Sequence, residues 1–196
     1  MERPTDIGVS DEMLISKASG GDKAAFSALI RRYEDTVYRF AFKVCRNREK
    51  AEETLQDTFV NVYRKLNSFD GKSKFSTWLY SIVTNNCLMK RRRTKMQDSL
   101  DSLDDAPAGA MEMRSWDETP VEELLTQELR GQLDAAILKL PIDYRIVFVL
   151  RDIEGKSAEE TAQILRISVE ATKSRLRRAR AFLRERLSPY MVAHQR

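Results

Sequence analysis

Apolar residues recur three and four positions apart along most of this chain, which is the spacing of one face of a helix. Phe26, Leu29, Ile30, Tyr33, Val37, Phe40, Ala41 and Val44 form the first such stripe, and Asp22 stands where it can cap the helix start. After a turn around Arg46 and Asn47, a second stripe turns Ala51, Leu55, Phe59 and Val62 inward, while Glu52, Glu53, Gln56 and Asp57 occupy other faces. The stretch NSFDGKSK, residues 67–74, reads as a turn-rich loop. A third helix begins near Phe75, carries Trp78, Leu79, Ile82 and Val83, and ends in the cationic run Lys90, Arg91, Arg92, Arg93, Lys95.

Periodicity then stops. Residues from about Met96 to Pro120 include Pro107, Gly109 and several Ser and Asp, and read as a linker. It resumes with Leu124, Leu125, Leu129, Leu133, Ile137 and Leu138, and Leu140-Pro141 leads into a further helix with Pro141 in its first turn. That helix holds Ile146, Val147, Val149 and Leu150 and ends before Gly155. Ser157 and Glu160 have the spacing of a capping box, and Ser168 is placed to cap the last helix. The pattern predicts an all-α protein of two small helical domains, residues 1–95 and 121–196, joined by a flexible acidic linker, 96–120. With seven Gly and five Pro in 196 residues, little competes with that helical reading.

The net charge is only +4, but its distribution is uneven. Residues 97–129 hold ten acidic residues against one basic, Arg114, whereas residues 166–186 hold eight basic against two acidic. The second imbalance falls on a segment, residues 157–180, that reads as two short helices around a tight turn. That is the outline of a helix-turn-helix, whose second helix enters the DNA major groove. Leu176, Ala179, Leu183 and Leu187 form one stripe there, and Lys173, Arg177, Arg180 and Arg184 a neighbouring one. Solvated faces usually mix their charges, so the cationic stripe points to phosphates and base edges.

Other chemistry has little support. Cys45 and Cys87 lie in no metal or redox spacing and read as buried free thiols, which fits a reducing cytoplasm. The single histidine, His194, lies near the end of the chain. No phosphate loop, nucleophile motif or ligand cluster is present, so no metal, cofactor or catalytic residue is expected. No apolar run approaches the roughly 20 residues of a membrane span. The first twelve residues lack a signal peptide's basic start and apolar core.

Two stretches carry a more specific resemblance. AEETLQDTFVNVYRKLNSFDGKSKFSTWLYSIVTNN, residues 51–86, resembles region 2 of the sigma-70 family, with its Gln-Asp/Glu-x-Phe helix, aromatic loop and Phe-x-Thr-Trp-Leu helix. LKLPIDYRIVFVLRDIEGKSAEETAQIL followed by VEATKSRLRRARAFLRERL resembles region 4. From about residue 12 to residue 188 the chain is similar to bacterial sigma factors of the extracytoplasmic-function class. A helix-turn-helix alone would equally suit a repressor or activator, but neither of those explains the aromatic loop and the helix after it.

The resemblance implies a factor that binds core RNA polymerase and directs it to promoters. Glu53, Gln56, Asp57 and Phe59 then meet the clamp helices of the polymerase's largest subunit, and region 4 meets the flap. Asn67, Ser68, Phe69, Lys72 and Lys74 resemble the pocket for a flipped −10 base, with Phe75, Thr77, Tyr80, Asn85, Arg91 and Arg92 as further strand contacts. Aromatic rings stack on unpaired bases and lysines hold phosphates. Trp78 is assigned to the core. Region 4 then reads duplex −35 DNA, with Lys173, Ser174, Arg177 and Arg178 as base-contact candidates and Arg175 and Arg180 as phosphate contacts. The linker acids Asp101, Asp104, Asp105, Asp117 and Glu118 occupy basic polymerase channels until RNA displaces them. The factor is implied to respond to stress or envelope signals and to be held by an anti-sigma protein, and direct membrane insertion is not expected. Three positions depart from the family pattern: Arg166 stands at a turn position that usually carries Gly, Thr172 replaces a commonly aliphatic residue, and Met89 an acidic one.

Overall fold

The structure is a computed structural model that describes residues 9–98 and 120–193. The described residues are helical, with no strand among them. They form two compact units, the first mainly of residues up to Lys90 and the second mainly of residues from Arg91 on. The expected linker lies outside the described residues, with Asp101, Asp104, Asp105, Asp117 and Glu118, except at its ends. There the helix begun at Phe75 continues to Asp98, past the expected boundary at Lys95, and the next helix begins at Pro120. His194 also lies outside them.

Four helices build the first unit: α1 (Asp11–Ser19), α2 (Lys23–Cys45), α3 (Arg48–Lys65) and the N-terminal part of α4 (Phe75–Asp98). The hydropathy pattern did not single out α1, whose one buried residue is Leu14. Ser10 caps it by accepting from the Met13 amide. Asp11 then ties α1 to α2, accepting from Arg32 at 2.8 Å and from the Tyr33 hydroxyl. Burial first, and the Asp11 carboxylate second, push the Tyr33 phenol well above its ordinary pKa, so it stays a neutral donor.

Asp22 caps α2 as expected, accepting from the amides of Ala24 and Ala25 at 2.8 and 3.0 Å. Its inward stripe, with Leu29, Val37, Phe40, Ala41 and Val44 all buried, is the centre of the unit. Arg46 ends α2 in the left-handed region at φ 54°, and Asn47 caps α3 through the Lys50 amide. Along α3 the fully buried positions are Ala51, Thr54, Thr58 and Val62, whereas Leu55 and Phe59 are half-buried. Thr54 and Thr58 enter the core because each hydroxyl donates to the carbonyl four residues back, both at 2.6 Å. A threonine satisfied in this way packs much as valine does. Asn86 of α4 donates to Thr58 Oγ1 at 3.1 Å and accepts from Asn61 at 3.0 Å, so the seam between α3 and α4 is hydrogen-bonded.

Cys45 and Cys87 face each other, with their sulfurs 3.9 Å apart, and both are free thiols. A disulfide holds its sulfurs at about 2.05 Å. The hydrogen bond with Cys45, followed by burial, pushes the Cys87 thiol well above its ordinary pKa and keeps it protonated.

The second unit comprises α5 (Pro120–Lys139), α6 (Ile142–Phe148), α7 (Ala158–Leu165) and α8 (Val169–Ala193). Ala136, Ile137 and Leu140 pack against Ala179 and Leu183 of α8, with Leu133, Tyr144, Phe148, Phe182 and Leu187 around them. Pro141 stands at the N-cap of α6, one place ahead of the expected first turn. Arg145 donates to the carbonyls of Leu138 and Leu140, satisfying acceptors that the end of α5 leaves open. Beyond Phe148 the helix widens into a single π turn, Val149–Ile153, which buries Val149 and Leu150 and turns Asp152 toward α8. Insertions of this kind re-aim side chains and cluster at functional sites.

Candidate polymerase and nucleic-acid interfaces

The turn between α7 and α8 is built from local contacts. Ser157 and Glu160 make the reciprocal capping box: the Glu160 amide donates to Ser157 Oγ at 2.9 Å and the Ser157 amide to Glu160 Oε2 at 2.8 Å. The Glu159 carboxyl is held below its ordinary pKa by a backbone hydrogen bond first and by Ser157 second, with smaller help from Lys173 and Arg151. Ser168 caps α8 through the Ala171 amide at 3.0 Å. Thr172, in place of an aliphatic residue, is fully buried, and its hydroxyl donates to the Ser168 carbonyl at 3.1 Å.

Arg166 adopts the left-handed conformation that a glycine there would adopt freely, with φ 53°. The Ile167 amide reaches back to the Ala162 carbonyl at 3.1 Å, the long bond of a Schellman motif. The turn therefore keeps the usual geometry and bears the strain. A side chain in that region costs roughly 1–2 kcal/mol. Glycine's extra freedom in the unfolded chain returns about 0.4–1 kcal/mol of that. Arg166→Gly is therefore expected to stabilise the second unit by about 0.5–1 kcal/mol, read as a higher urea midpoint. A lower midpoint would mean that the Arg166 side chain makes a stabilising contact larger than the strain.

On α8, Leu176, Ala179 and Leu183 face the core, while Lys173, Arg177, Arg178 and Arg180 are exposed and Ser174 and Arg175 half-buried. The cationic stripe thus stands clear of the domain on its N-terminal half. Two of the expected DNA contacts pair within the unit. Arg178 donates to the Tyr144 hydroxyl at 3.2 Å, and Arg180 forks onto Asp152 with contacts of 2.9 and 2.6 Å.

In the first unit, Leu66–Ser68 form a short 3-10 turn after α3, and the loop then runs to Lys74. Asn67, Ser68, Lys72 and Lys74 are exposed, and Phe69 is half-buried. Lys72 pairs with Asp70 at 2.8 Å, and its ammonium holds the Asp70 carboxyl below its ordinary pKa. Phe69 leans on Phe75 and Trp78, with centroids 5.6 and 5.3 Å away, and Phe75 also meets Tyr33 edge-on at 5.2 Å. The loop is therefore fastened to the bundle by a cluster of rings.

Three of the expected strand contacts are interior residues. Phe75, Thr77 and Tyr80 are 5%, 4% and 6% exposed, and Tyr80 packs edge-on against Phe40 at 5.1 Å. The cause is the central position of α4, which buries two adjacent stripes: Phe75, Leu79 and Val83, then Tyr80, Thr84 and Cys87. What remains open is the stripe of Trp78, Ser81, Asn85, Met89 and Arg92. Trp78, assigned to the core from sequence, is half-buried, with its ring 5.5 Å from Phe75. Asn85, Arg91, Arg92 and Arg93 are exposed.

The outer face of α3 carries Glu53, Gln56 and Asp57, all exposed, with Phe59 turned partly inward. Val60 and Tyr63, 48% and 63% exposed, continue the same stripe one and two turns on. Sequence reasoning missed them; the signal was two large apolar residues that the inward stripe of α3 does not use. Tyr63 rests edge-on against Phe26 at 5.1 Å. Lys90 of α4 bridges Glu53 and Asp57 at 2.8 and 3.0 Å. Burial works to lower the Lys90 pKa, but the bonds to Glu53 and Asp57 outweigh it and hold it above its ordinary value.

The same two units are found in known proteins. The family description "Sigma-70 region 2" matches residues 29–96, and "Sigma-70, region 4" matches residues 130–183. The chain is 34% identical over 186 residues to the ECF RNA polymerase sigma factor SigW of Bacillus subtilis, covering 90% of this chain and 98% of that one. It is 32% identical over 188 residues to the ECF RNA polymerase sigma-E factor of Haemophilus influenzae, covering 93% and 98%. Among solved structures, it resembles CnrH in its complex with the cytosolic domain of CnrY, with a TM-score of 0.62, 26% identity and coverage of 94% and 98%. It also resembles the sigma factor RpoE of Bartonella quintana, solved with the anti-sigma factor NepR, with a TM-score of 0.65, 25% identity and coverage of 83% and 96%. A region 2 unit followed by a region 4 unit, and relatives matched across nearly their whole length, place this chain among the extracytoplasmic-function sigma factors of the sigma-70 family.

Proposed function

We propose that the chain is a promoter-specificity subunit of bacterial RNA polymerase, and that its two units read the two halves of a promoter. The reading is carried by one observation: region 2 and region 4 units occur in that order, the second with a fully capped helix-turn-helix. In the first unit, the stripe Glu53, Gln56, Asp57, Val60 and Tyr63 suits a polymerase helix that offers cations beside apolar groups. Phe59 supports that stripe from behind. The loop residues Asn67, Ser68, Phe69, Lys72 and Lys74, with Asn85, Arg91 and Arg92 on α4, hold the separated −10 strand. Phe75, Thr77 and Tyr80 shape that surface from inside. In the second unit, Lys173, Ser174, Arg177 and Arg178 meet base edges of the −35 duplex and Arg175 lies toward phosphates, while Arg180, expected there as well, is forked onto Asp152.

Regulation by an anti-sigma protein follows from the family, and the similar RpoE of Bartonella quintana was solved with the anti-sigma factor NepR. No helix among the described residues is long and apolar enough to cross a membrane. The factor works in the cytoplasm, where polymerase and promoter DNA are, and catalyses nothing itself. The test is reconstitution: purified chain, bacterial core polymerase and a library of promoter fragments, with transcripts sequenced. Initiation at a defined set of −35/−10 pairs that requires the chain is the expected result. DNA binding without polymerase-dependent initiation would point to a repressor or activator instead.

A further inference from the structure

The geometry points to Asp152 as an internal stand-in for a DNA phosphate, one that withholds Arg180 from DNA and so limits sequence-independent affinity. This rests on the reading of α8 as the duplex-facing helix. Three observations carry it. Arg180 falls on the side of the Lys173–Arg177 stripe nearest the core, where a neighbouring element can reach it. Both contacts of its fork are taken by one carboxylate, at 2.9 and 2.6 Å, in the bidentate arrangement that a phosphate also accepts. The carboxylate belongs to the π turn Val149–Ile153, which swings Asp152 over α8, and its side chain is 21% exposed against 55% for Arg180.

To reach a phosphate, Arg180 must break both bonds and leave the Asp152 carboxylate facing the DNA backbone. Neither step depends on the base sequence. The pair therefore removes about one counterion-releasing contact from every duplex complex, promoter or not. For a two-part promoter reader this is useful. Weak duplex binding by the second unit keeps the factor from settling on bulk DNA before the first unit finds its strand.

The test uses the full chain assembled with core polymerase and titrated onto a random-sequence duplex across a salt series. Asp152→Asn is expected to raise affinity roughly three- to tenfold near 0.1 M salt and to steepen the salt slope by about one. Arg180→Gln alone is expected to change affinity less than twofold, since the wild-type arginine is already occupied. Adding Asp152→Asn to Arg180→Gln should then give no further gain. An equal gain in both backgrounds would reduce Asp152 to a generic repelling charge and overturn the proposal. A several-fold loss from Arg180→Gln would overturn it too, because Arg180 would already be holding DNA. The Arg180→Gln arm leaves Asp152 intact, so a folding defect in Asp152→Asn cannot hide the answer. The −35 reading is tested apart, by comparing a promoter duplex with the same duplex scrambled at −35. Its failure would leave the random-duplex result standing.

Discussion

Replacing Phe75 with alanine is expected to cost the first unit about 3–5 kcal/mol, the range for a buried phenylalanine that leaves a cavity. Phe75 is 5% exposed and touches the rings of Tyr33, Phe69 and Trp78. Its removal therefore loosens the α2–α4 packing and takes away one of the two rings that support Phe69 in the loop proposed to face the strand. Two measurements separate these effects. Urea unfolding gives the loss of stability. Permanganate reactivity of −10 thymines in the polymerase complex reports strand opening, which should fall even under conditions where the unit stays folded. Phe75→Leu keeps much of the volume and is expected to retain stability better than opening, since a leucine cannot meet the rings edge-on. A loss below about 1 kcal/mol for the alanine variant would mean that the cluster is loosely packed and does not hold the loop.

The second large effect is expected at Arg177. It is exposed on the open stripe of α8, between Lys173 and Arg180. A forked contact to a guanine edge is worth roughly 1–3 kcal/mol of discrimination, so Arg177→Ala should weaken a matched −35 site by that amount and relax the preference at one base pair. A phosphate contact would behave differently, lowering affinity for all sequences alike. A base-substitution series across the −35 element therefore decides the role. Uniform weakening, with discrimination unchanged, would reassign Arg177 to the backbone.

Much of this architecture is legible in the sequence because it is encoded locally. Asp22, the Ser157–Glu160 pair and Ser168 each satisfy amides two or three residues on, so the residue types and their spacing suffice to place the helix starts. The positive φ of Arg166 is not legible in that way: a non-glycine residue there leaves the turn geometry open, and the long Ile167–Ala162 bond shows which geometry is kept. What fails is the choice of face on α3 and α4. A helix packed on two adjacent sides leaves no single apolar stripe, so Thr77 and Tyr80 read as surface although they are interior. Thr54 and Thr58 read as polar, yet their hydroxyls are satisfied within the helix. The π turn has no sequence signal at all, and the Asp152–Arg180 pair depends on it, joining residues that are 28 positions apart.

The hydrogen-bonded seam between α3 and α4 has a mechanical consequence. Apolar surfaces slide past one another at little cost, but Asn86 can meet both Thr58 and Asn61 in one register only. A slip of one turn would orphan those buried groups, at about 1–3 kcal/mol each. The outer stripe of α3 is thereby locked in one register against α4. In the proposed function the first unit works as a ruler: a polymerase docked on α3 sets, through a rigid body, where along the opened strand α4 can reach.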